Sequence, residues 1–299
     1  MSVHVPVLTA EALAFLRPDR GGLFVDCTVG LGGHARALLE AGATRIIGLD
    51  RDVHALAIAR TTLAPWADRV DLVHADYRSL GEILDSRGVV ALDGALADLG
   101  VSSLQLDSAG RGFSFQRDEF LDMRMDTTTG PTAADLVAES TEHDLADAIY
   151  GYGEERFSRR IARALVLARG DAPILTTGRL AAIVRRAVPH VHHRGYSRID
   201  PATRTFQALR IWVNRELDHL DRFLETTARR LRAGARMVVI SFHSLEDRVV
   251  KHTMRALSQS GDGLLRVLTK KPVIAGAEEL NRNPRARSAK LRASERVTA

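Results

Sequence analysis

The sequence predicts an α/β fold, a doubly wound and mostly parallel sheet that is interrupted by an inserted helical segment. Three observations support this fold class. Strand-like and helical patterns alternate through the first hundred residues, a glycine-dense turn follows the first strand, and the alternation stops over the next hundred residues. Alternating strands and helices build parallel sheets, because each crossover helix covers one face of the sheet.

The first hundred residues contain four predicted strands joined by helices. The strands are predicted at Leu23–Cys27, Arg45–Asp50, Val70–His74 and Gly94–Leu99. The helices between them are predicted at His34–Ala41, Val53–Leu63 and Leu80–Ser86. Since right-handed crossovers bring the carboxyl ends of parallel strands to one edge, a ligand is expected in the loops at that edge.

The alternation breaks after the fourth strand. From about Asp107 to about Ile199 no buried strand is predicted, and the helical patterns there lie at Ala133–Tyr150, Glu155–Arg169 and Thr177–Ala187. The patterns that follow predict a long amphipathic helix at Ala202–Leu231, a fifth strand at Arg236–Phe242, a helix at Ser244–Leu257 and an antiparallel pair, Leu264–Thr269 with Ser288–Arg296. We therefore predict a discontinuous domain of residues 1–106 and 200–299, with residues 107–199 as an inserted helical domain.

The composition is that of a globular chain with a sizeable core. Hydrophobic residues make up 45% of its 299 residues. The single cysteine, Cys27, excludes an internal disulfide and fits a reducing cytosol. The start of the chain has no signal-peptide pattern, and no apolar run approaches the ~20 residues of a membrane span. We expect a cytoplasmic protein without a membrane partner, and the composition favours no particular oligomeric state.

The charges are strongly segregated along the chain. Residues 1–155 carry 12 basic and 25 acidic residues, whereas residues 156–236 carry 18 arginines, no lysine and 6 acidic residues. Residues 237–299 add 12 basic and 6 acidic residues. This asymmetry indicates that a polyanion, such as a nucleic acid, binds the arginine-rich part. A general preference for arginine on solvated helices would explain the residue type but not the segregation.

The glycine-dense turn after the first strand fits more than one cofactor. Residues 30–35, GLGGHA, satisfy the dinucleotide fingerprint, and Asp50 follows about 20 residues after it. A nicotinamide enzyme is therefore a candidate, and so is a tight turn that binds nothing.

Other strand ends favour S-adenosylmethionine. Asp26 lies four residues before Gly30, where an acid suits the ammonium group of this cofactor and would repel a pyrophosphate. Asp50 can accept from both ribose hydroxyls, which serves either cofactor equally. Tyr77, after the third strand, can cover an adenine ring, and Asp98 ends the fourth strand beside the expected position of the transferable methyl group.

Nine motifs along the chain together carry a family resemblance. In order they are VPVLTAEAL, GLGGHARALL, ADLGVSSLQLD, RGFSF, LDMRMD, YGEERFSRRIARALV, PATRTFQALRIWVN, ISFHSLEDRVVK and NPRARSAKLRASER. From about residue 4 to residue 296 the chain closely resembles the bacterial 16S rRNA (cytosine-N4) methyltransferase, or MraW, family. The resemblance implies a Rossmann-like class I methyltransferase domain with an inserted helical, RNA-recognising domain. It also implies methylation of N4 of a decoding-region cytidine in the 16S rRNA of the small ribosomal subunit.

The resemblance also implies a set of cofactor-binding residues. By position these are Gly32, Gly33, His34, Asp50, Tyr77, Asp98 and Gln105. Gln105 is assigned by the resemblance alone, since its local sequence indicates only a turn. Two positions depart from the family pattern: Leu104 stands where proline is frequent, and Asp200 stands where histidine commonly precedes the proline.

The catalytic group is left unassigned. Many amino-methyltransferases carry an acid or amide followed by Pro-Pro-aromatic after the fourth strand, whereas this chain has DLGVSS from Asp98. Ser241 and His243 end the fifth strand at the same edge and either face the substrate or precede a helix capped by Ser244. We expect no metal site, because His190, His192 and His193 lack a matching carboxylate or cysteine set. The competing functions are a nicotinamide oxidoreductase and a non-catalytic rRNA-binding assembly factor.

Overall fold

The computed structural model describes residues 6–189, 200–261 and 263–297. The chain divides into two compact units. The first, called the sheet unit here, consists of Met1–Ser102 and Leu217–Ala299, and the second, the helical unit, consists of Ser103–Glu216.

A seven-stranded sheet forms the centre of the sheet unit. Its strands are β1 (Leu23–Asp26), β2 (Arg45–Asp50), β3 (Val70–His74), β4 (Leu92–Asp98), β5 (Leu231–Ser241), β6 (Leu265–Val267) and β7 (Lys290–Arg296). They lie in the order β3-β2-β1-β4-β5-β7-β6. The first five strands pair in parallel, and β7 runs antiparallel to both of its neighbours. The predicted doubly wound, mostly parallel sheet is confirmed, and so is the antiparallel pair near the end of the chain.

Apolar residues on both faces of the sheet bury it between two helical layers. Alternate strand residues point to opposite faces, so Val25 and Ile47 belong to one core cluster while Phe24 and Ile46 belong to the other. The helices of this unit are α1 (Thr9–Leu16), α2 (Gly33–Glu40), α3 (Val53–Thr62), α4 (Leu80–Ser86), α11 (Leu220–Arg230), α12 (Ser244–Gln259) and α13 (Ala277–Arg282). Side chains of α1, α2 and α3 pack in one cluster, and those of α4, α11 and α12 pack in the other.

The helical unit contains no strand within its described residues, 103–189 and 200–216, as predicted. Its helices are α5 (Ser103–Asp107), α6 (Ala133–Glu139), α7 (Glu142–Gly153), α8 (Ser158–Asp171), α9 (Thr177–Ala187) and α10 (Ala202–Asn214). An isolated bridge joins Phe120 to Thr176.

Two of the predicted helices were too long. The segment predicted as one helix from Ala202 to Leu231 forms α10 and α11, because Arg215 takes a left-handed conformation (φ +51°) that ends α10. The segment predicted from Ala133 to Tyr150 forms α6 and α7, because Ser140 is extended and Thr141 caps the second helix.

The division between the units also differs from the predicted boundaries. The predicted boundaries followed residues 106 and 199, whereas the structure divides the chain after Ser102 and after Glu216. The second boundary lies later than predicted because α10 packs against α7, α6 and α9 and so belongs to the helical unit. No helix in the described residues is long and apolar enough to cross a membrane.

Candidate cofactor site

The candidate site lies at the carboxyl ends of the parallel strands. The strand order reverses between β1 and β4, and ligands of open α/β sheets bind at this switch point. Asp26, Asp50 and Asp98 are the last residues of β1, β2 and β4. The fold therefore brings together the three acids that the sequence predicted from separate strand ends.

The glycine loop between β1 and α2 is held by Asp50. Gly30 N donates to Asp50 Oδ2 at 2.8 Å, and Asp52 N donates to Asp50 Oδ1 at 2.8 Å. Gly30 has a φ of +52°, a conformation in which glycine is favoured over residues with a Cβ. Each carboxylate oxygen of Asp50 retains a further lone pair, so the side chain can still accept from two ribose hydroxyls.

The other two loop glycines allow neighbouring segments to pack closely. A Cβ at Gly32 would lie 3.1 Å from Leu63 Cγ, and one at Gly33 would lie 3.1 Å from Pro6 Cγ. Gly32 precedes α2 without a side-chain cap, so the first backbone N–H groups of the helix receive no acceptor from that residue. Such N–H groups suit a carboxylate, which S-adenosylmethionine carries.

Asp26, His34 and Asp98 form a charged group in which the first two residues are buried and Asp98 is half-buried. Asp26 and His34 are 1% and 7% exposed, and His34 Nε2 lies 3.5 Å from Asp98 Oδ2. Burial raises the pKa of Asp26 to about 7, with His34 and the Thr28 N–H opposing the rise and the charges of Asp98 and Asp50 adding to it. Burial works against a charged His34, but Asp98 and Asp26 outweigh this and raise the pKa of the imidazole.

Two carboxylate oxygens in this group have no hydrogen-bond partner within the described part of the chain and can accept from a ligand. Neither Asp26 Oδ2 nor Asp98 Oδ1 has a hydrogen-bond partner among the residues that the structure describes, although both atoms are buried. Buried polar atoms are normally satisfied, so their orphaned state fits a ligand that brings N–H donors and positive charge. The ammonium and sulfonium groups of S-adenosylmethionine match this requirement. A dinucleotide does not, since its pyrophosphate would face three carboxyl groups.

Thr28 is a site residue that the sequence argument missed. Its hydroxyl accepts from Asp98 N at 2.6 Å, which ties the loop after β1 to the end of β4. Threonine in a loop carries no sequence signal for such a contact, which follows only from the adjacency of β1 and β4.

Tyr77 lies after the end of β3, the strand on the far side of β2 from β1. It begins a short turn after Asp76, is buried, and packs on Phe223 with ring centroids 4.5 Å apart. Burial raises the pKa of its hydroxyl. The neighbouring Asp76 carboxylate accepts from Arg78, both from its backbone N–H and from its guanidinium. That Tyr77 covers an adenine ring stays a prediction.

The remaining candidate residues are placed as follows. Gln105 is buried on α5 of the helical unit, and its cofactor role stays a prediction. Ser241 is buried, and His243, not Ser244, caps α12 by accepting from Glu246 N at 3.3 Å. Residues 190, 192 and 193, the three histidines considered for a metal, lie outside the described part of the chain.

Asp200, one of the two departures from the family pattern, has a structural role in the helical unit. Its carboxylate lies 2.8 Å from Arg185 of α9 and accepts from Ala202 N at the start of α10. These contacts lower the pKa of Asp200 although burial opposes the shift. The acid thus joins α9 to α10.

The strand order with its reversed seventh strand is that of class I methyltransferases, and the acidic site suits their cofactor. The protein is an S-adenosylmethionine-dependent methyltransferase. A family model described as the MraW methylase family matches residues 1–297, and the chain belongs to that family.

Curated relatives match over nearly the whole chain. The ribosomal RNA small subunit methyltransferase H of Geotalea uraniireducens (strain Rf4) is 49% identical over 311 residues, which cover 98% of each chain. The protein of the same name from Sorangium cellulosum (strain So ce56) is 51% identical over 294 residues, 98% of this chain and 91% of the relative. A solved rRNA methylase from Streptococcus thermophilus covers 99% of this chain and all of its own at 11% identity, with a TM-score of 0.44.

Proposed function

We propose that this protein transfers the methyl group of S-adenosylmethionine to the exocyclic N4 amine of a cytidine in the decoding region of 16S rRNA. The observation that carries the proposal is the match to small-subunit rRNA methyltransferases along the full chain. The acidic cofactor site supports the reaction type, and the arginine-rich segment supports an RNA substrate. A reaction on ribosomal RNA also supports a cytoplasmic location.

The nucleophiles available in this chain favour N4 over other positions of cytidine. Methylation at C5 uses a thiolate that attacks C6, but the single thiol, Cys27, is buried and burial raises its pKa well above the ordinary value. Methylation of the ribose 2′-hydroxyl usually needs a lysine that lowers the hydroxyl pKa. The first lysine of this chain is Lys251, on α12 and far along the sequence from the loop after β4.

The exocyclic amine makes smaller demands on the protein. Its lone pair is delocalised into the ring, so it needs alignment with the methyl group and an acceptor for its proton. S-adenosylmethionine supplies a strongly electrophilic methyl group. Holding the amine and the methyl group in line can lower the activation free energy by on the order of 7–11 kcal/mol at best. The base must also be held out of its stack for the amine to reach the methyl group.

Product analysis tests this proposal directly. The purified full-length protein is incubated with small ribosomal subunits and methyl-labelled S-adenosylmethionine, and the rRNA is then digested to nucleosides. We expect label in N4-methylcytidine. An Asp98→Ala variant, which removes an open carboxylate of the cofactor site, should give no labelled nucleoside, whereas an Asp68→Ala variant on the exposed surface should match the wild type.

Other products would identify the competing functions. Label only in 5-methylcytidine or in a 2′-O-methyl nucleoside contradicts the assignment of N4. Tight binding to rRNA without any methyl transfer, in a protein that binds S-adenosylmethionine, would instead indicate an assembly factor without turnover.

A further inference from the structure

A groove runs between α8 and α9 of the helical unit. It has a volume of about 580 Å³. Its lining consists of small and aliphatic side chains with three arginines, Arg160, Arg179 and Arg186, and one acid, Asp171. All of these residues belong to one unit, and none of them belongs to the cofactor site.

The rims of the groove carry uncompensated positive charge. Arg160 on α8 and Arg186 on α9 are exposed, and Arg163 lies one helical turn after Arg160 on the same exposed side. Within the described parts of the chain none of these three guanidinium groups lies near a carboxylate. The acid that lines the groove, Asp171, lies at the other end of α8.

On α8 the charge lies where the helix itself disfavours it, whereas Arg186 lies in the last turn of α9. The first turn of α8 contains no acid, while Arg159 and Arg160 are its second and third residues. Cations are unfavourable near a helix N-terminus, because the helix dipole is positive there. Arg159 and Arg160 therefore gain nothing from the dipole of α8, and an external anion would offset the unfavourable charge.

The floor of the groove is apolar and partly open to solvent. Leu167 is 67% exposed, and Ala164 and Ile183 extend the apolar surface from α8 to α9. The third lining arginine is structural, since Arg179 donates to the carbonyls of Ala168 and Ala172 at 3.1 Å. An apolar floor, with arginines on both rims that have no carboxylate partner among the described residues, fits a ligand that has flat apolar faces on an anionic backbone.

We propose that the α8–α9 groove binds an unpaired stretch of RNA. Backbone phosphates contact Arg160, Arg163 and Arg186, and a base that is out of its stack lies against Leu167. Phosphate contacts from arginine combined with an apolar platform for bases are how proteins bind single strands. The apolar face of a partner helix would bury the floor but leave the three arginines without counter-charges. The proposal rests on the proposed function, which supplies RNA as the substrate.

The first test measures how affinity for RNA depends on salt. The full-length protein is titrated with a short unstructured oligoribonucleotide at several salt concentrations. A triple variant, R160S/R163S/R186S, should bind roughly tenfold more weakly or worse at low salt. The slope of log affinity against log salt should become less negative by about 2, because each phosphate that an arginine neutralises contributes about 0.7 to the slope.

A charge-matched triple variant is the control. Arg36, Arg266 and Arg282 are exposed arginines of the sheet unit that lie outside the arginine-rich segment, and each pairs with a glutamate. Replacing these three with serine removes the same net charge and should leave the slope within experimental error of the wild type. Equal weakening of RNA binding in the two triple variants would show that only net charge matters and would overturn the proposal.

A variant of the floor separates base contact from charge. Leu167→Ser should weaken binding of the oligoribonucleotide several-fold while the salt slope stays that of the wild type, because the arginines still neutralise the same phosphates. Wild-type affinity in this variant would overturn the base contact. Unchanged RNA affinity in both the floor variant and the arginine variant, with methylation of assembled subunits abolished, would assign the groove to a protein partner instead.

The wild-type product analysis distinguishes this inference from the proposed function. If the wild type makes no N4-methylcytidine, the proposed function fails, and the affinities and slopes of the variants still decide whether the groove binds RNA. If the wild type does make it and the slopes do not change, the groove inference alone fails.

Discussion

His34 Nε2 lies 3.5 Å from Asp98 Oδ2, so the first turn of α2 meets the end of β4 through a charged pair in which the histidine is buried and the aspartate half-buried. Asp26 belongs to the same group, and its charge also raises the pKa of His34. The imidazolium therefore supplies positive charge among carboxyl groups that would otherwise repel one another. The ammonium of S-adenosylmethionine brings a further cation to these acids, whose open oxygens it can satisfy.

Replacing Asp26 with Asn should remove a pH dependence of stability. The pKa of Asp26 is about 7 in the folded protein, against 3.8 for the ordinary side chain. Between about pH 4 and 7, Asp26 is therefore protonated in the folded state and ionised in the unfolded state. Stability from this group therefore falls as pH rises through that window. Relative to the wild type, Asp26→Asn should gain up to about 4 kcal/mol in free energy of unfolding from pH 4 to 8.

Urea denaturation at a series of pH values measures this difference. The exposed Asp68→Asn variant is the control, and its difference from the wild type should stay within about 0.5 kcal/mol at every pH. A pH-independent difference for Asp26→Asn would show that Asp26 titrates normally in the folded protein.

Replacing Asp50 should weaken cofactor binding moderately with asparagine and more strongly with alanine. Asn at this position keeps one acceptor oxygen but turns an amide NH₂ toward one of the two backbone donors, Gly30 N or Asp52 N. Each hydrogen bond to a charged acceptor that is removed should cost roughly 1.5–3 kcal/mol, so calorimetry should show weaker S-adenosylmethionine binding for Asp50→Asn and weaker still for Asp50→Ala. Wild-type affinity in a folded Asp50→Ala variant would remove this residue from the site.

Two glycines of α7 should respond oppositely to substitution by alanine. A Cβ at Gly153 would lie 2.6 Å from the backbone oxygen of Arg204 on α10, whereas a Cβ at Gly151 has no atom within 4 Å. Gly153→Ala should therefore destabilise the protein by about 1–3 kcal/mol through overpacking. Gly151→Ala should stabilise it by about 0.5–1 kcal/mol, because alanine is the better helix former. Thermal unfolding of the pair checks both signs, and a stabilised Gly153→Ala would contradict the close approach of α7 and α10.

Asn214 should be among the most sensitive polar residues of the helical unit. It is buried, its side-chain oxygen accepts from Met125 N at 2.7 Å, and its amide donates to Met123 O at 2.7 Å and to Arg210 O at 2.9 Å. Asn214→Asp places an oxygen against the two carbonyls in place of the donor. We expect a decrease in stability of about 1–3 kcal/mol for each group left unsatisfied, measured by urea denaturation. Asn283→Asp, which keeps the acceptor for the Arg285 N–H, should change stability much less.

The sheet and the acidic strand ends were predictable because short-range patterns determine them. The alternation of strands and helices gave the positions of β1 to β4 to within two residues at each end. The parallel arrangement then brought Asp26, Asp50 and Asp98 to one edge.

The end of α10 was not predictable in this way. Arginine carries no sequence signal for the left-handed conformation that Arg215 adopts. Its neighbours hold it there: the Glu216 carboxylate pairs with Arg210 at 2.8 Å, and Asn214 bonds across to the segment at Met123. The second of these contacts joins residues 91 positions apart, and periodicity within a single helix cannot reveal it.

The position of the helical unit in the chain has a consequence for folding during synthesis. β4 pairs with β5 at the middle of the sheet, yet the whole segment 103–216 lies between them in sequence. A chain that emerges from its N-terminus exposes the free edge of β4 while the helical unit is being made, and free edges invite wrong pairing. The helical unit is a compact unit with its own packed helices and can complete first. We therefore expect the slow step of folding to be the pairing of β5 with the exposed edge of β4.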